Sequence, residues 1–167
     1  RDYAESKWPG VTFEDPESAI IDETVQIGQG STVCHNTILE GETIVGPDCE
    51  ITDSRLTDVD ASARGLKIED SVVFVSPESE KFNFVERPAP TKPPYSLNRF
   101  GVENRRAVLH KGVKLTGAIV INSEIGQDTY AEGCLVKHSV VGAHNALLPG
   151  AHLRMCRTAD NCSFSAE

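Results

Sequence analysis

From Ile21 to Ile51 an aliphatic residue returns at every sixth position, a spacing that neither an α-helix nor a single β-strand produces. The residue two places earlier is small or β-branched at each step. The aliphatic positions are Ile21, Ile27, Val33, Leu39, Val45 and Ile51, and their earlier companions are Ala19, Val25, Ser31, Thr37, Thr43 and Cys49. Two inward-facing positions followed by a short turn predict a coil of short parallel strands, whose core forms only when successive coils stack.

The same unit returns near the end of the chain. Its repeating positions there are Ile125, Ala131, Val136, Val141, Leu147 and Leu153. A shorter variant carries a Ser two places before its closing aliphatic residue, and it occurs as ITDSRL (51–56), IEDSVV (68–73), VINSEI (120–125) and VKHSVV (136–141). We expect the small Ser to face the crowded inside of a corner, while the preceding Asp, Asn or His supplies the turn.

The two periodic blocks are separated by a stretch that loses the period and contains five prolines between Pro77 and Pro94. Such a stretch predicts a long excursion that leaves the coil at a corner. The chain is therefore predicted to be one all-β domain, a parallel β-helix with a long inserted loop. The predicted parts are coils at about 11–75 and 113–153, an irregular insertion at about 76–112, and a C-terminal cap at 154–167, together making a single domain over 1–167.

The charge balance argues against several classes of partner. With 16 Lys and Arg against 25 Asp and Glu, the formal net charge is −9. A chain this acidic repels phosphate backbones and anionic lipid, so we expect neither nucleic acid nor a membrane surface as partner. No apolar run approaches the roughly 18 residues of a membrane span, and the first residues lack the apolar region of a signal peptide.

Five cysteines without a C-x-x-C pair do not indicate a disulfide framework or a cysteine zinc site. Reduced thiols and a cytoplasmic location are the simplest interpretation. The histidines near the end of the chain lack a third ligand at metal-site spacing, so no metal site is predicted.

The six-residue unit resembles the hexapeptide repeat of the left-handed parallel β-helix family. The front of the chain, through Gly10, Val11, Thr12, Asp15 and Pro16 and then Ile21 and Asp22, is similar to the acetyltransferase domain of the bifunctional UDP-N-acetylglucosamine pyrophosphorylase/glucosamine-1-phosphate acetyltransferase. The resemblance implies a left-handed coil, a homotrimer, acetyl-CoA as co-substrate and a phosphorylated amino sugar, glucosamine 1-phosphate, as acceptor.

The same resemblance implies candidate site residues in the last coils. Lys137, in VKHS, matches a lysine that binds the sugar phosphate, and His152, in AHLRM, matches a histidine that acts as general base on the amine. Arg154 and Met155 stand where that family has Thr and Tyr. His138 is a second candidate base, because an imidazole suits proton transfer near neutral pH. The alternative for each histidine, and for His144 between them, is a solvated corner position.

The stretch NRFGVENRRAVLHKGVK (98–114) is the basic segment of this acidic chain. We expect Arg105, Arg106 and Lys111 to hold a sugar phosphate or the phosphates of coenzyme A. The alternative is a loop held on the acidic coil by ion pairs, which are common and individually weak.

A second function remains open. The four Ser-containing turns are also typical of β-helical tails of sugar nucleotidyltransferases. The alternative to an acetyltransferase is therefore a non-catalytic β-helix that assembles or regulates a nucleotidyltransferase, on the same chain or on a partner. No glycine-rich phosphate loop is present, so nucleotidyl transfer itself is not predicted here.

Overall fold

A computed structural model describes residues 2–75 and 107–166. The chain begins with a short helix, α1 (Asp2–Lys7), which the sequence pattern did not predict. Trp8 follows it and is buried with Val11 and Val33, and its indole Nε1 donates a hydrogen bond of 2.8 Å to the carbonyl oxygen of Val25. The indole thereby covers apolar side chains at the start of the coil that would otherwise meet water.

The rest of the described chain consists of short strands and corners. In chain order the strands are β1 (Thr12–Phe13), β2 (Ile20–Ile21), β3 (Gln26–Ile27), β4 (Thr32–Val33), β5 (Ile38–Glu40), β6 (Ile44–Val45), β7 (Glu50–Thr52), β8 (Arg55–Thr57), β9 (Val59–Ala61), β10 (Lys67–Glu69), β11 (Val72–Phe74), β12 (Ala107–Leu109), β13 (Lys114–Thr116), β14 (Ile119–Ile121), β15 (Glu124–Ile125), β16 (Tyr130–Glu132), β17 (Leu135–Lys137), β18 (Val140–Val141), β19 (Ala146–Leu147), β20 (His152–Arg154) and β21 (Ser163–Phe164).

From β1 to β20, every third strand belongs to the same parallel sheet, which is the arrangement of a β-helix. β21 then returns to sheet A without a preceding strand of sheet C. Sheet A has the order β1-β4-β7-β10-β13-β16-β19-β21, sheet B the order β2-β5-β8-β11-β14-β17-β20, and sheet C the order β3-β6-β9-β12-β15-β18. The chain passes from A to B to C and then begins the next coil. This confirms the predicted hexapeptide-repeat β-helix.

The repeating aliphatic residues fill the core, as predicted. Leu39, Val136 and Leu147 are 0% exposed, and most of the other repeating positions are also buried. Each lies at the inward position of its strand and stacks on the equivalent residue of the next coil, for example Ile51 on Ile68. Full burial of such a side chain contributes about 1.5–3 kcal/mol, so the stacked core stabilises strands that are too short to be stable alone.

The corners explain the polar part of the repeat. Asp53, Asp70, Asn122 and His138 each have a positive φ near 50°, and the Ser that follows each of them is buried. These Ser hydroxyls link successive coils. Ser123 Oγ accepts a hydrogen bond of 3.0 Å from the Ser139 amide and donates one of 2.7 Å to the Ile121 carbonyl. The Ser positions are therefore structural, because they satisfy backbone groups that lie away from water.

The boundaries of the coil differ from the predicted ones. β12 lies inside the stretch predicted as an insertion, yet it pairs with β9 and β15 in sheet C, so the coil resumes at residue 107 rather than at 113. The remainder of the predicted insertion, 76–106, lies outside the described residues. Within the predicted cap 154–167, β21 pairs with β19 and continues sheet A.

Among the described residues, no helix has both the length and the apolar character needed to cross a membrane.

Candidate functional site

Three basic side chains lie together on the outer face of sheet B, in the last coils. Lys137 ends β17, and Arg154, at the end of β20, is its register partner. His152 is two residues before Arg154 on the same strand. The middle residues of these strands, Val136 and Leu153, face the core. Alternation along each strand therefore directs Lys137, Arg154 and His152 outward, with the paired strands about 4.8 Å apart.

This basic group differs from two arginines of the earlier coils, which lie beside carboxylates. Arg55 Nε lies 2.7 Å from Glu40 Oε1, and Arg64 contacts the carboxylate of Asp48. In the described part of the chain, no carboxylate lies within ion-pair distance of Lys137, Arg154 or His152. Three uncompensated donors on adjacent strands can hold an anion such as a phosphate.

His138 has a different environment from His152. It occupies the corner after Lys137 with a φ of 50°, and only 3% of its surface is exposed. The prediction of solvated histidine corners thus does not describe His138, whereas His152 is exposed on the sheet face. A general base has to reach its substrate, so the exposure of His152 suits that role better.

Of the three residues predicted in the basic segment, the structure describes Lys111. Lys111 is exposed at a corner between sheets C and A, so it does not join Lys137 on sheet B. Arg105 and Arg106 lie outside the described residues.

A histidine–carboxylate pair that the sequence analysis did not single out lies on the outer face of sheet C. Nε2 of His110 lies 2.5 Å from Oε1 of Glu124, one coil further along. Glu124 is the register partner of Val108, so it lies diagonally across from His110. The two side chains are 44% and 37% exposed. One coil here spans 16 residues, from Val108 to Glu124. A carboxylate 14 residues after a histidine therefore lies two places before the equivalent position of the next coil, and that spacing is the signal that could have found the pair.

Two further histidines also lie near carboxylates of the next or the preceding coil. His35 Nε2 is 3.1 Å from Asp53 Oδ2, and His144 Nδ1 is 3.7 Å from Asp128 Oδ2. Both carboxylates are shared, because Asn36 Nδ2 donates to Asp53 and Gln127 Nε2 donates to Asp128.

The buried thiols do not suit nucleophilic chemistry. Burial raises the pKa of Cys134 to about 11, and burial is also the main cause that raises the pKa of Cys34 and of Cys49. The thiolate is the reactive form of cysteine, so these three side chains act as small core residues. Within residues 2–75 and 107–166, no three His, Cys, Asp or Glu side chains are grouped as a metal site requires.

No protein-family model matches the chain. The chain is similar to several curated proteins named "Bifunctional protein GlmU". The one from Caldanaerobacter subterraneus subsp. tengcongensis is 43% identical over 68 residues, which are 40% of this chain and 15% of that protein. The one from Listeria monocytogenes serotype 4b is 29% identical over 131 residues, which are 75% of this chain and 28% of that protein. The chain thus spans well under a third of the length of these relatives.

Among solved structures, a putative acetyltransferase from Desulfovibrio desulfuricans G20 superposes with a TM-score of 0.43 and 11% sequence identity, over 90% of this chain and 32% of that one. A score at this level does not establish a shared fold, so the β-helix rests on the strand pairing described above.

Proposed function

We propose that this hexapeptide-repeat β-helix is an acetyltransferase domain of the kind found in GlmU proteins, and that it transfers the acetyl group of acetyl-CoA to the amine of glucosamine 1-phosphate. The observation that carries the proposal is the group formed by Lys137, Arg154 and His152 on sheet B of a chain with net charge −9. Similarity to a GlmU protein over 75% of the chain supports the acetyltransferase class.

In this proposal Lys137 and Arg154 bind the sugar phosphate from adjacent strands. Arg154 stands where the GlmU-like motif has Thr, so a guanidinium replaces a hydroxyl beside the lysine. A planar guanidinium can give two parallel hydrogen bonds to one phosphate. His152 lies on the same face, and it is the exposed one of the two candidate bases, His152 and His138. Lys137 and Arg154 would therefore bring two positive charges to the phosphate, where a lysine and a Thr hydroxyl would bring one.

The proposed assembly is a homotrimer in the cytoplasm. Sheet B presents exposed apolar side chains, with Val72 36% and Ile119 43% exposed on successive strands. A patch of this kind beside a binding group is typical of a subunit contact. Because the chain spans under a third of its relatives, a nucleotidyltransferase domain or partner belongs to the same proposal.

The same apolar patch favours the second candidate function, a non-catalytic β-helix that assembles a sugar nucleotidyltransferase. In that case the face of sheet B would serve only for association. The two candidates differ in whether the chain makes an acetylated product.

The test is to mix the protein with acetyl-CoA and glucosamine 1-phosphate and to detect the acetylated sugar phosphate by mass spectrometry. Lys137→Ala and Arg154→Ala are expected to raise KM about 10-fold or more, because each removes a charged hydrogen bond to the phosphate. Lys114→Ala, on the outer face of sheet A, is the matched control and should change nothing. If the folded wild-type protein makes no product, the acetyltransferase proposal is refuted and the assembly function remains.

A further inference from the structure

We propose that the outer face of sheet B holds an amino sugar linked to a nucleoside diphosphate, with the phosphates on Lys137 and Arg154 and the base on Phe74. This inference rests on the proposed acyl transfer, because it names the class of acceptor that the two cations hold. It adds a site for a nucleobase, which glucosamine 1-phosphate does not need.

One column of outward side chains joins the basic group to the middle of sheet B. Phe74 is the register partner of Ile121, and Ile121 is the register partner of Lys137. Arg154 follows Lys137 in the same register. Paired strands lie about 4.8 Å apart, so the backbone at Phe74 is roughly 10 Å from that at Lys137 and roughly 14 Å from that at Arg154. A ligand lying along the column can therefore contact both cations at one end and the aromatic ring at the other.

A cavity of about 320 Å³ opens beside the phenyl ring of Phe74. Its lining residues are Arg55, Thr57, Val72, Phe74 and Val75. The volume is at the lower end of the range for small-molecule sites. The lining combines aliphatic and aromatic side chains with one guanidinium and one hydroxyl. A planar ring with polar atoms on its edge fits this composition, because its face contacts the apolar side chains while its edge forms hydrogen bonds.

Arg55 is positioned by a carboxylate and still has donors for a ligand. Its Nε lies 2.7 Å from Glu40 Oε1, and Thr57 Oγ1 donates to the same oxygen over 3.2 Å. Within the described residues, neither Nη atom of Arg55 makes a hydrogen bond. The N–H donors of a guanidinium lie in one plane, so the two Nη atoms can donate to carbonyl oxygens on the edge of a base. Uracil has such carbonyl oxygens and adenine has none, so the site favours a uridine nucleotide.

The ligand column lies beside the proposed subunit contact. The first residues of the strands, Val72, Ile119 and Leu135, form the apolar column, whereas Phe74 and Lys137 are third residues. The chain passes from sheet A through sheet B to sheet C, so the third residues lie nearer the corner to sheet C. Another subunit can therefore cover the first column and leave the ligand column open, with Val72 at the border between them.

The order of residues along the column sets the direction of the ligand. With the base at Phe74 and the diphosphate at Lys137 and Arg154, the sugar extends from the phosphate that Arg154 holds. His152 is two residues before Arg154 on the same outer face, so the sugar lies on the side of the proposed general base. The nucleotidyl group then occupies a part of sheet B that a sugar phosphate leaves uncovered.

Calorimetric titration tests the base site without acyl transfer. Uridine diphosphate (UDP), ADP and inorganic diphosphate are titrated separately into the full chain in the absence of acetyl-CoA. UDP is expected to bind about 10-fold more tightly than inorganic diphosphate, because stacking on the phenyl ring adds to the phosphate contacts. ADP should bind more weakly than UDP, since its base offers Arg55 no carbonyl oxygen. ADP that binds as tightly as UDP would overturn the uridine assignment.

Substitutions separate the aromatic ring and the guanidinium from the packing of the column. Phe74→Leu keeps an apolar side chain and should weaken UDP binding about 10-fold, while binding of inorganic diphosphate stays unchanged. Arg55→Lys keeps a positive charge beside Glu40 but loses the planar donors, so the preference for UDP over ADP should fall. Tyr130→Leu is the matched control, because Tyr130 is an aromatic residue 38% exposed on the outer face of sheet A. It should change neither affinity.

The outcomes distinguish this inference from the proposed function. UDP binding that depends on Phe74, in a protein that acetylates no sugar, would uphold the nucleotide site and refute the acyl transfer. Acetylation of glucosamine 1-phosphate, with UDP bound no more tightly than inorganic diphosphate, would uphold the acyl transfer and overturn the nucleotide site. UDP binding that persists undiminished in Phe74→Leu, with circular dichroism unchanged, would also overturn it.

Discussion

At the scale of single residues, the corners decide which side chains are chemically available. Cys134 occupies a corner between sheets A and B and is 5% exposed. Its neighbours in that column of corners are Ala118 and Ala151, both buried. A thiol at this position is packed as a small apolar group, and the desolvation of its thiolate raises its pKa to about 11.

This burial predicts a loss of stability in alkaline solution. A thiol whose pKa is raised by folding ionises first in the unfolded chain, so its contribution to stability is complete below the pKa of the unfolded thiol, about 8.5, and is lost as the pH rises toward about 11. We expect the free energy of unfolding, measured by urea denaturation, to fall between pH 9 and 11. Cys134→Ala should flatten this decline, whereas Cys162→Ala, near the end of the chain, should not. An equal decline in wild type and Cys134→Ala would contradict the assignment.

At the scale of elements, the repeat shows which residue positions the sequence alone can predict. The six-residue and five-residue spacings predict Leu39 and Ser123 on the inside, because such spacings are local properties of the chain, and both residues are buried. The pair of His110 and Glu124 was not found, because outward side chains carry no period and their contact depends on the register between coils. The predicted insertion at 76–112 includes β12 and Lys111, because the sequence between the two periodic blocks carries no register. The group of Lys137, His152 and Arg154 was found in part, since resemblance marked the first two but only strand pairing shows Arg154 beside Lys137.

The spacing between coils also predicts a strict requirement for glycine at some corners. A Cβ at Gly46 would lie 2.3 Å from the carbonyl oxygens of Ser62 and Ala63 in the next coil. We expect Gly46→Ala to lower the free energy of unfolding by ~3 kcal/mol, because backbone rather than a flexible side chain must move. The measurement is urea denaturation at neutral pH.

Gly117→Ala is the comparison that separates crowding from backbone conformation. Gly117 has a φ of 61°, but a Cβ there would meet nothing closer than 3.7 Å. Its replacement should cost only the ~1 kcal/mol of a left-handed Ala. If both variants lose the same free energy of unfolding, the close contact between coils at Gly46 does not destabilise Gly46→Ala.

At the scale of the whole molecule, the three faces of the coil differ in character. The outer face of sheet A carries charged side chains, with Glu50, Lys67 and Lys114 in register along successive strands. Sheet B instead presents Val72, Ile119 and Leu135 along one register column, which ends at His152. Another subunit can bury the apolar side chains of such a face, while the basic group beside them stays at the edge of the contact. The proposed homotrimer therefore uses sheet B.

This assignment predicts that one charge on sheet B abolishes the assembly. Ile119→Glu places a carboxylate in the apolar column, and its desolvation should cost at least ~2 kcal/mol at each contact. Sedimentation or light scattering should give three chain masses for the wild type and one for Ile119→Glu. Leu148→Glu makes the same kind of change at a residue that is 37% exposed but lies at a corner after sheet A, so it should remain trimeric. A monomeric wild type would refute the trimer, and a trimeric Ile119→Glu would move the contact to another face. Loss of acetylation together with loss of the trimer, in a variant whose circular dichroism is unchanged, would place the active site at the contact between copies rather than within one coil.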